Sequence, residues 1–375
     1  MNVSKRHRSA KVEININALR HNAQLVRQYA KNSKVMTAIK ANAYGHGVLE
    51  VANAIHDIVD EYAVASMDDV LQIRQSLPES AQLPISVLSG FYSADEIELA
   101  IEHNASLVVY DLSQVHYLLE FKKSNIASNK QLNIWLKVDT GMSRLGLSCD
   151  EFESTIEQLD AQQWVNIRGV FSHFANADVP EHDLNIQQIQ RFKKLKQQYN
   201  HKQWHWSMAN SAAIMSQEEV HYDWVRPGIM LYGGSPLQHA SAKQLNLKSV
   251  MTFSSEVISV RTVKAGQTVG YGSLWTADRD TQVAVVACGY GDGYPRCINA
   301  DTPVLLNGKR SKVIGRVSMD LLVVDASQSA VSVGMPVVLW GEGLPIEEIA
   351  ESVGTISYQL FCGITERVQR VLDGT

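Results

Sequence analysis

The sequence predicts an α/β chain, a (β/α)8 TIM-type barrel followed by a mostly β domain. Three observations predict it. Across residues 12–231 short apolar runs alternate with longer stretches of helical period, giving eight or nine strand candidates separated by helices. Strands joined this way need crossover helices, so the sheet is parallel and covered on both faces. Eight such units in about 230 residues is the size of a closed barrel. Beyond residue 247 the pattern changes to β-rich runs broken by Gly and Asn-Gly turns. A doubly wound open sheet is the alternative architecture, but no G-x-G-x-x-G follows the first strand.

Val12, Ile14 and Ile16 alternate as a strand, and Asn17 can cap a helix that puts Leu19, Ala23, Val26 and Ala30 on one face. A strand at 34–39 and a helix at 48–56 come next. The pattern repeats with strands at 62–66, 85–88, 107–110, 132–138 and 165–171, a long helix at 183–199, and a shorter unit at 204–216. The later strands fall at 251–263, 281–288, 303–306, 311–314, 321–324 and 336–340, with helices at 346–353 and near Tyr358. The stretch 233–248 lacks periodicity and holds Gly, Pro and Ser, so the boundary is expected there. Residues 1–240 read as the barrel domain and 241–375 as the β domain.

Composition narrows the function. The 375 residues carry 34 basic and 39 acidic side chains, a net charge of −5 with the signs interspersed. No basic stripe points to nucleic acid. The longest apolar runs, such as 283–288 and 337–340, are too short to span a bilayer. The basic stretch Met1–Ala10 is not followed by an apolar segment, so a cytoplasmic protein is expected. Cys149, Cys288, Cys297 and Cys362 lie far apart without a C-x-x-C pair, which suits reduced thiols rather than disulfides or zinc. His201 and His205 have the i, i+4 spacing of helix-borne ligands, but no acidic or Cys partner stands nearby. No metal is expected.

The sharpest local feature is Thr37-Ala-Ile-Lys40-Ala-Asn-Ala-Tyr44-Gly-His-Gly47. It places a lysine at the C-terminal end of a strand, where barrel enzymes carry catalytic groups. Flanked by Ile39 and Ala41, such an amine can have a depressed pKa and form a Schiff base. On position alone it can equally be a lysine snorkelling to solvent.

Here the chain resembles the alanine racemases, bacterial enzymes dependent on pyridoxal 5'-phosphate. The resemblance runs from Val12 to Val371. It includes Lys137-Val-Asp-Thr-Gly-Met-Ser-Arg144, Ser172-His173-Phe-Ala, Ala209-Asn-Ser211-Ala, Arg226-Pro-Gly228-Ile229, Gly270-Tyr271-Gly, Gly289-Tyr290-Gly-Asp-Gly-Tyr-Pro-Arg296 and Gly315-Arg316-Val-Ser-Met319-Asp320. It implies that Lys40 carries the cofactor and serves as the base on one face of the substrate, with Tyr271 as the base on the other. Two bases suit racemisation, in which a Cα proton leaves one face and returns on the opposite one.

The resemblance further implies that Arg226 hydrogen-bonds the pyridine nitrogen and that His173 belongs to the same network. Tyr44, Ser211, Gly228, Ile229 and Tyr358 match phosphate-binding positions. Arg144 is expected to grip the substrate carboxylate, with Met319 offering its backbone amide. Lys137 matches a lysine that is carbamylated in some relatives. Asp178, Tyr290, Arg296 and Arg316 match the entrance. Tyr271 and Met319 are expected from the partner chain of a homodimer. The implied activity is interconversion of L- and D-alanine, supplying D-alanine for peptidoglycan. A broad-specificity racemase is the nearest alternative. A non-catalytic pyridoxal-phosphate-binding protein lacks the β domain, and a decarboxylase uses an acid where this chain has Arg226.

Overall fold

The computed structural model describes residues 8–121, 130–299, 301–328 and 330–374. Residues 1–7 of the basic N-terminal stretch lie outside the described residues. Strand β1 (Lys11–Asn15) and helix α1 (Ile16–Tyr29) precede the barrel, which begins at β2 (Lys34–Ala38). It continues through β3 (Glu61–Val64), β4 (Ile85–Val87), β5 (Ala105–Val109), β6 (Leu132–Lys137), β7 (Val165–Phe171), β8 (His205–Asn210) and β9 (Trp224–Arg226). All eight pair in parallel, and β9 closes the ring onto β2. The connecting helices include α2 (Val48–Ile55), α3 (Met67–Ser76), α4 (Ala94–Glu102), α5 (Leu112–Glu120), α6 (Cys149–Asp160), α7 (Asp183–Gln198) and α8 (Ser211–Ser216).

Local chemistry starts these helices. Ser66 and Ser148 accept from the backbone of Asp69 and Glu151, whose carboxylates return the bond, so both are capping boxes. The cap of α1 is Asn15, accepting from Ala18 N–H at 2.8 Å, two residues ahead of the expected Asn17.

The barrel count holds, but its membership differs from the sequence expectation. The strand around Val12 is not in the barrel: β1 pairs antiparallel with the first strand of the β domain and parallel with the last. In its place stands β9, only three residues long and too short to show a period. His201 lies in a turn and His205 opens β8, so the two share no helix face.

Inside the barrel, Met36, Ala63, Val108, Trp135, Phe171 and Trp224 pack together. Toward the N-terminal end Arg168 pairs with the buried Glu61 at 2.7 Å and lies 5.2 Å from the Trp135 ring. The interior is a packed core, leaving the C-terminal ends of the strands as the place for a site.

The β domain comprises β10 (Met251–Val263), β11 (Thr281–Val286), β12 (Pro303–Leu306), β13 (Lys309–Ile314), β14 (Leu322–Asp325), β15 (Pro336–Trp340) and β16 (Gln369–Asp373). Their order in the sheet is β11-β14-β13-β12-β15-β10-β1-β16, and the far half of β10 also pairs with β11. Asn307-Gly308 joins β12 to β13 with positive φ at both residues, as a tight hairpin requires. Helices α9 (Ile346–Ser352) and α10 (Ser357–Cys362) follow β15, and α10 packs against the turn after β2.

Candidate active site

A cavity of about 510 Å³ opens at the C-terminal ends of the barrel strands. Each side of it comes from a strand end. Lys40 follows β2, Lys137 ends β6, His173 follows β7, Ser211 follows β8, Arg226 ends β9, and Gly228 and Ile229 come next. Arg144 arrives on the loop after β6, while α10 contributes Tyr358 and Cys362.

The turn carrying Tyr44 is left-handed. Ala41, Asn42, Ala43 and Tyr44 all have φ between 51° and 53°. This conformation costs about 1–2 kcal/mol per residue for L-amino acids, so the surroundings must impose it. Asn42 Oδ1 accepts from Val48 N–H at 2.9 Å, and the Ala43 N–H reaches Ile39 O at 2.9 Å. Beneath the turn His46 is fully buried against Tyr232 and Phe361, with Nδ1 2.9 Å from Tyr44 O. Burial pushes the His46 imidazole down to about 3, so it is neutral and Nδ1–H donates to that carbonyl. The Tyr44 ring stacks on Tyr232 at 4.8 Å.

Facing Tyr44, the Ser211 hydroxyl accepts from Gly228 N–H at 2.8 Å. A side chain on Gly228 would place its Cβ 2.8 Å from the Tyr44 hydroxyl. Three polar groups therefore converge on one corner, next to the buried N–H of Ile229 that begins a helical turn. Tyr358 closes the corner, its ring 5.8 Å from that of Tyr44.

The opposite wall is cationic. Arg226 is buried and donates to Ser207 Oγ and Ser172 O, both at 2.5 Å, with His173 Nδ1 3.5 Å away. Burial lowers its guanidinium to about 9, which leaves it charged at neutral pH. Burial and then the Arg226 charge hold His173 well below its usual range, so it is neutral. Burial first, then the charge of Arg144, lowers the Lys40 amine. Lys137 is pushed down to about 8 by burial and by Arg144, Arg226 and Lys40. Among the described residues lining the cavity there is no Asp or Glu. The nearby Asp139 instead accepts the N–H groups of Gly141 and Met142 at 2.8 and 2.9 Å, shaping the loop that presents Arg144.

Ten of the expected residues thus meet in one cavity: Lys40, Tyr44, Lys137, Arg144, His173, Ser211, Arg226, Gly228, Ile229 and Tyr358. Tyr271 and Met319 do not. They stand on the β domain, 68% and 52% exposed, apart from this cavity. Tyr290 and Arg316 also belong to that surface, and Arg316 packs near Gly272. Asp178 lies close enough to help burial raise the Tyr358 phenol. Sequence reasoning missed Leu88, Ser89, Tyr92, Leu145 and Cys362 on the walls. Only Cys362 had a signal, four residues after Tyr358 on the same helical face.

The residues suit a phosphate-bearing aldehyde. A half-buried amine of lowered basicity, a hydroxyl and amide cradle and a donor-only guanidinium share the cavity. A parallel barrel with a lysine in a cationic, carboxylate-free mouth defines an anion-binding barrel of the kind that serves lysine-based carbonyl chemistry. Family models place it further: "Alanine racemase, N-terminal domain" matches residues 14–236 and "Alanine racemase, C-terminal domain" matches residues 250–372. The chain belongs to the alanine racemase family. An alanine racemase of Hahella chejuensis is 40% identical over 97% of this chain and 98% of its own length. The crystal structure of the biosynthetic alanine racemase from Pseudomonas aeruginosa superposes with a TM-score of 0.92 at 39% identity, covering 98% of this chain and all of that one. The alanine racemase of Bartonella henselae, solved with covalently bound pyridoxal phosphate, gives a TM-score of 0.88 at 29% identity, covering 97% and 99% of the two chains.

Proposed function

We propose that this protein interconverts L- and D-alanine with pyridoxal 5'-phosphate held in the barrel mouth, supplying D-alanine for peptidoglycan. The observation that carries the proposal is the set of four cations, Lys40, Lys137, Arg144 and Arg226, around one cavity without a lining carboxylate. Such a site is built for a ligand that brings its own negative charges.

Lys40 Nζ is the covalent attachment point. Its environment lowers its basicity, which favours the neutral amine that takes and returns a proton. When bound, the cofactor supplies an electron sink that makes the substrate Cα proton removable. Tyr44, Ser211, Tyr358 and the N–H groups of Gly228 and Ile229 hold the phosphate. Arg226 would donate to the pyridine nitrogen and, because it stays charged and does not transfer its proton, would leave that nitrogen unprotonated. His173 supports the network.

Arg144 holds the substrate carboxylate with its fork. Lys137 steadies Arg144 after N-carboxylation: the ammonium loses one proton, the neutral amine adds to carbon dioxide and a second proton leaves, so a repelling cation becomes an anion. Its lowered basicity, at about 8, supports this reading. Tyr271 and Met319 come from a second copy of the chain. Their exposure on the β domain leaves them available to a neighbour's cavity, with Tyr290, Arg296 and Arg316 at the entrance and Asp178 on the barrel side. A cytoplasmic setting agrees with the four free thiols. Among the described residues no helix is long and apolar enough to cross a membrane.

Chiral chromatography of the purified protein with added pyridoxal phosphate, run separately on L-alanine, L-serine and L-lysine, tests the proposal. D-Alanine formation with little turnover of the others is expected, and Lys40→Ala abolishes it. Comparable turnover of all three overturns the specificity. No racemisation at all overturns the function.

A further inference from the structure

The strongest constellation outside the cavity is a buried carboxylate between two arginines. Asp292 is fully buried. Arg8 grips it with both prongs, Nε to Oδ1 at 2.5 Å and Nη2 to Oδ2 at 2.6 Å. Arg367 Nε adds a third bond at 2.8 Å, and Gly289 N–H a fourth at 2.9 Å. Both guanidiniums also reach Asp320, Arg8 at 3.4 Å and Arg367 through its Nη2. Two cations and two carboxylates thus alternate. The sheet brings them together: β1 and β16 are parallel neighbours with Lys11 opposite Gln369. Arg8 and Arg367 precede those residues and so lie at the same end of the two strands.

Asp292 belongs to the turn Tyr290–Asp292, and that turn holds the segment bearing Met319. Tyr290 N–H donates to Ser318 O at 3.0 Å, and Gly291 N–H to Met319 O at 2.8 Å. A Cβ on Gly289 would fall 2.3 Å from Ser318 O and 2.4 Å from Met319 O, so the two segments touch without slack. Both carbonyls of the Met319 segment are engaged. The Met319 N–H has no hydrogen-bond partner among the described residues, on a residue 52% exposed.

We propose that Arg8, Asp292 and Arg367 form an ionic clasp that aims the Met319 N–H at the substrate carboxylate in the neighbouring copy's cavity. Arg8 and Asp292 are then positioning residues, acting through the Tyr290–Asp292 turn. The inference rests on the proposed role of Met319. A displaced Met319 amide weakens binding of the carboxylate in ground and transition states alike, so the loss appears in KM.

The test uses the full-length holoenzyme and two readouts. Arg8→Met removes the bidentate arm at a partly exposed position, where folding survives more readily than with a change at buried Asp292. KM for alanine is expected to rise about tenfold, the worth of one charge-assisted hydrogen bond, with kcat within about twofold. Arg8→Lys, which keeps the charge but loses the bidentate fork, gives an intermediate KM. Hydrogen exchange of the Tyr290 and Gly291 amides, read by mass spectrometry without substrate, is expected to accelerate in Arg8→Met. Unchanged KM with a lowered melting temperature reduces the cluster to a structural tie and overturns the proposal. Unchanged exchange in Arg8→Met, where the wild-type enzyme turns over alanine, overturns it too. A wild-type protein that does not racemise alanine brings down the role of Met319 instead, and exchange alone then decides whether the clasp holds the turn.

Discussion

Replacing Gly228 by alanine probes the phosphate corner with a single methyl. The new Cβ lands 2.8 Å from the Tyr44 hydroxyl and 3.5 Å from its Cζ. The first distance is several tenths of an ångström inside van der Waals contact. A flexible side chain would swing aside, but Tyr44 is buried, stacked at 4.8 Å on Tyr232, and fixed by a backbone at φ 53°. Overpacking of this kind costs about 1–3 kcal/mol. Cofactor affinity suffers separately, because moving the phenol loses a hydrogen bond to a charged phosphate worth about 1.5–3 kcal/mol, or roughly ten- to a hundredfold in Kd. Titration of the apoprotein with pyridoxal phosphate, followed by absorbance, measures that loss. Tyr44→Phe supplies the control. It removes the hydroxyl that clashes, so the double variant is expected to bind little worse than Tyr44→Phe alone. Wild-type affinity in Gly228→Ala, or fully additive losses in the double variant, would refute the geometry.

Two further expectations concern the other half of the site and the clasp. Tyr271→Ala should slow removal of the Cα proton from L-alanine far more than from D-alanine, measured as solvent deuterium incorporation into each enantiomer separately; equal slowing removes the two-base assignment. Burial alone raises the Asp292 carboxyl, but the bonds from Arg8 and Arg367 outweigh it and leave the folded pKa below the ordinary value. Asp292 therefore stabilises the fold above the unfolded pKa of about 3.9, and this is lost as pH falls through the lower folded value. Asp292→Asn should lower the melting temperature at pH 7 and flatten its fall below about pH 4; parallel melting curves across that range would show that Asp292 carries no such linkage.

The local elements were legible where period and length agreed. Residues 165–171 and 336–340 fall as read, and the long helix at 183–199 differs by one residue. What a period cannot carry is the identity of a strand's neighbour. Val12 and Ile14 alternate as a half-buried strand does in either sheet, so the pattern alone places β1 in the barrel, whereas its partners lie some 240 and 360 residues away. Trp224–Arg226 was hidden by its brevity. At the site, motif resemblance located the strand-end residues, because chain position at a barrel's C-terminal end nearly determines where a side chain points. It could not show the left-handed turn at Ala41–Tyr44, since none of those four residues is a glycine and only Asn42 is of a type that visits positive φ. Nor could it show the Arg8 clasp, which exists only because β1 sits beside β16.

The cationic mouth and the displaced β1 belong to one design. Lys40, Lys137, Arg144 and Arg226 repel one another within a single cavity, a cost the fold bears only if a ligand or modification supplies anions. The packed barrel interior cannot supply them: its buried acid, Glu61, is already spent on Arg168. Neither can the β domain of the same chain, whose clustered acids Asp292 and Asp320 are held by Arg8 and Arg367. Charge is therefore sorted within the molecule. The barrel mouth gathers Lys40, Lys137, Arg144 and Arg226 with no carboxylate among the described lining residues. The β domain ties Asp292 and Asp320 to Arg8 and Arg367 and leaves Met319 and the Tyr271 phenol exposed on its surface.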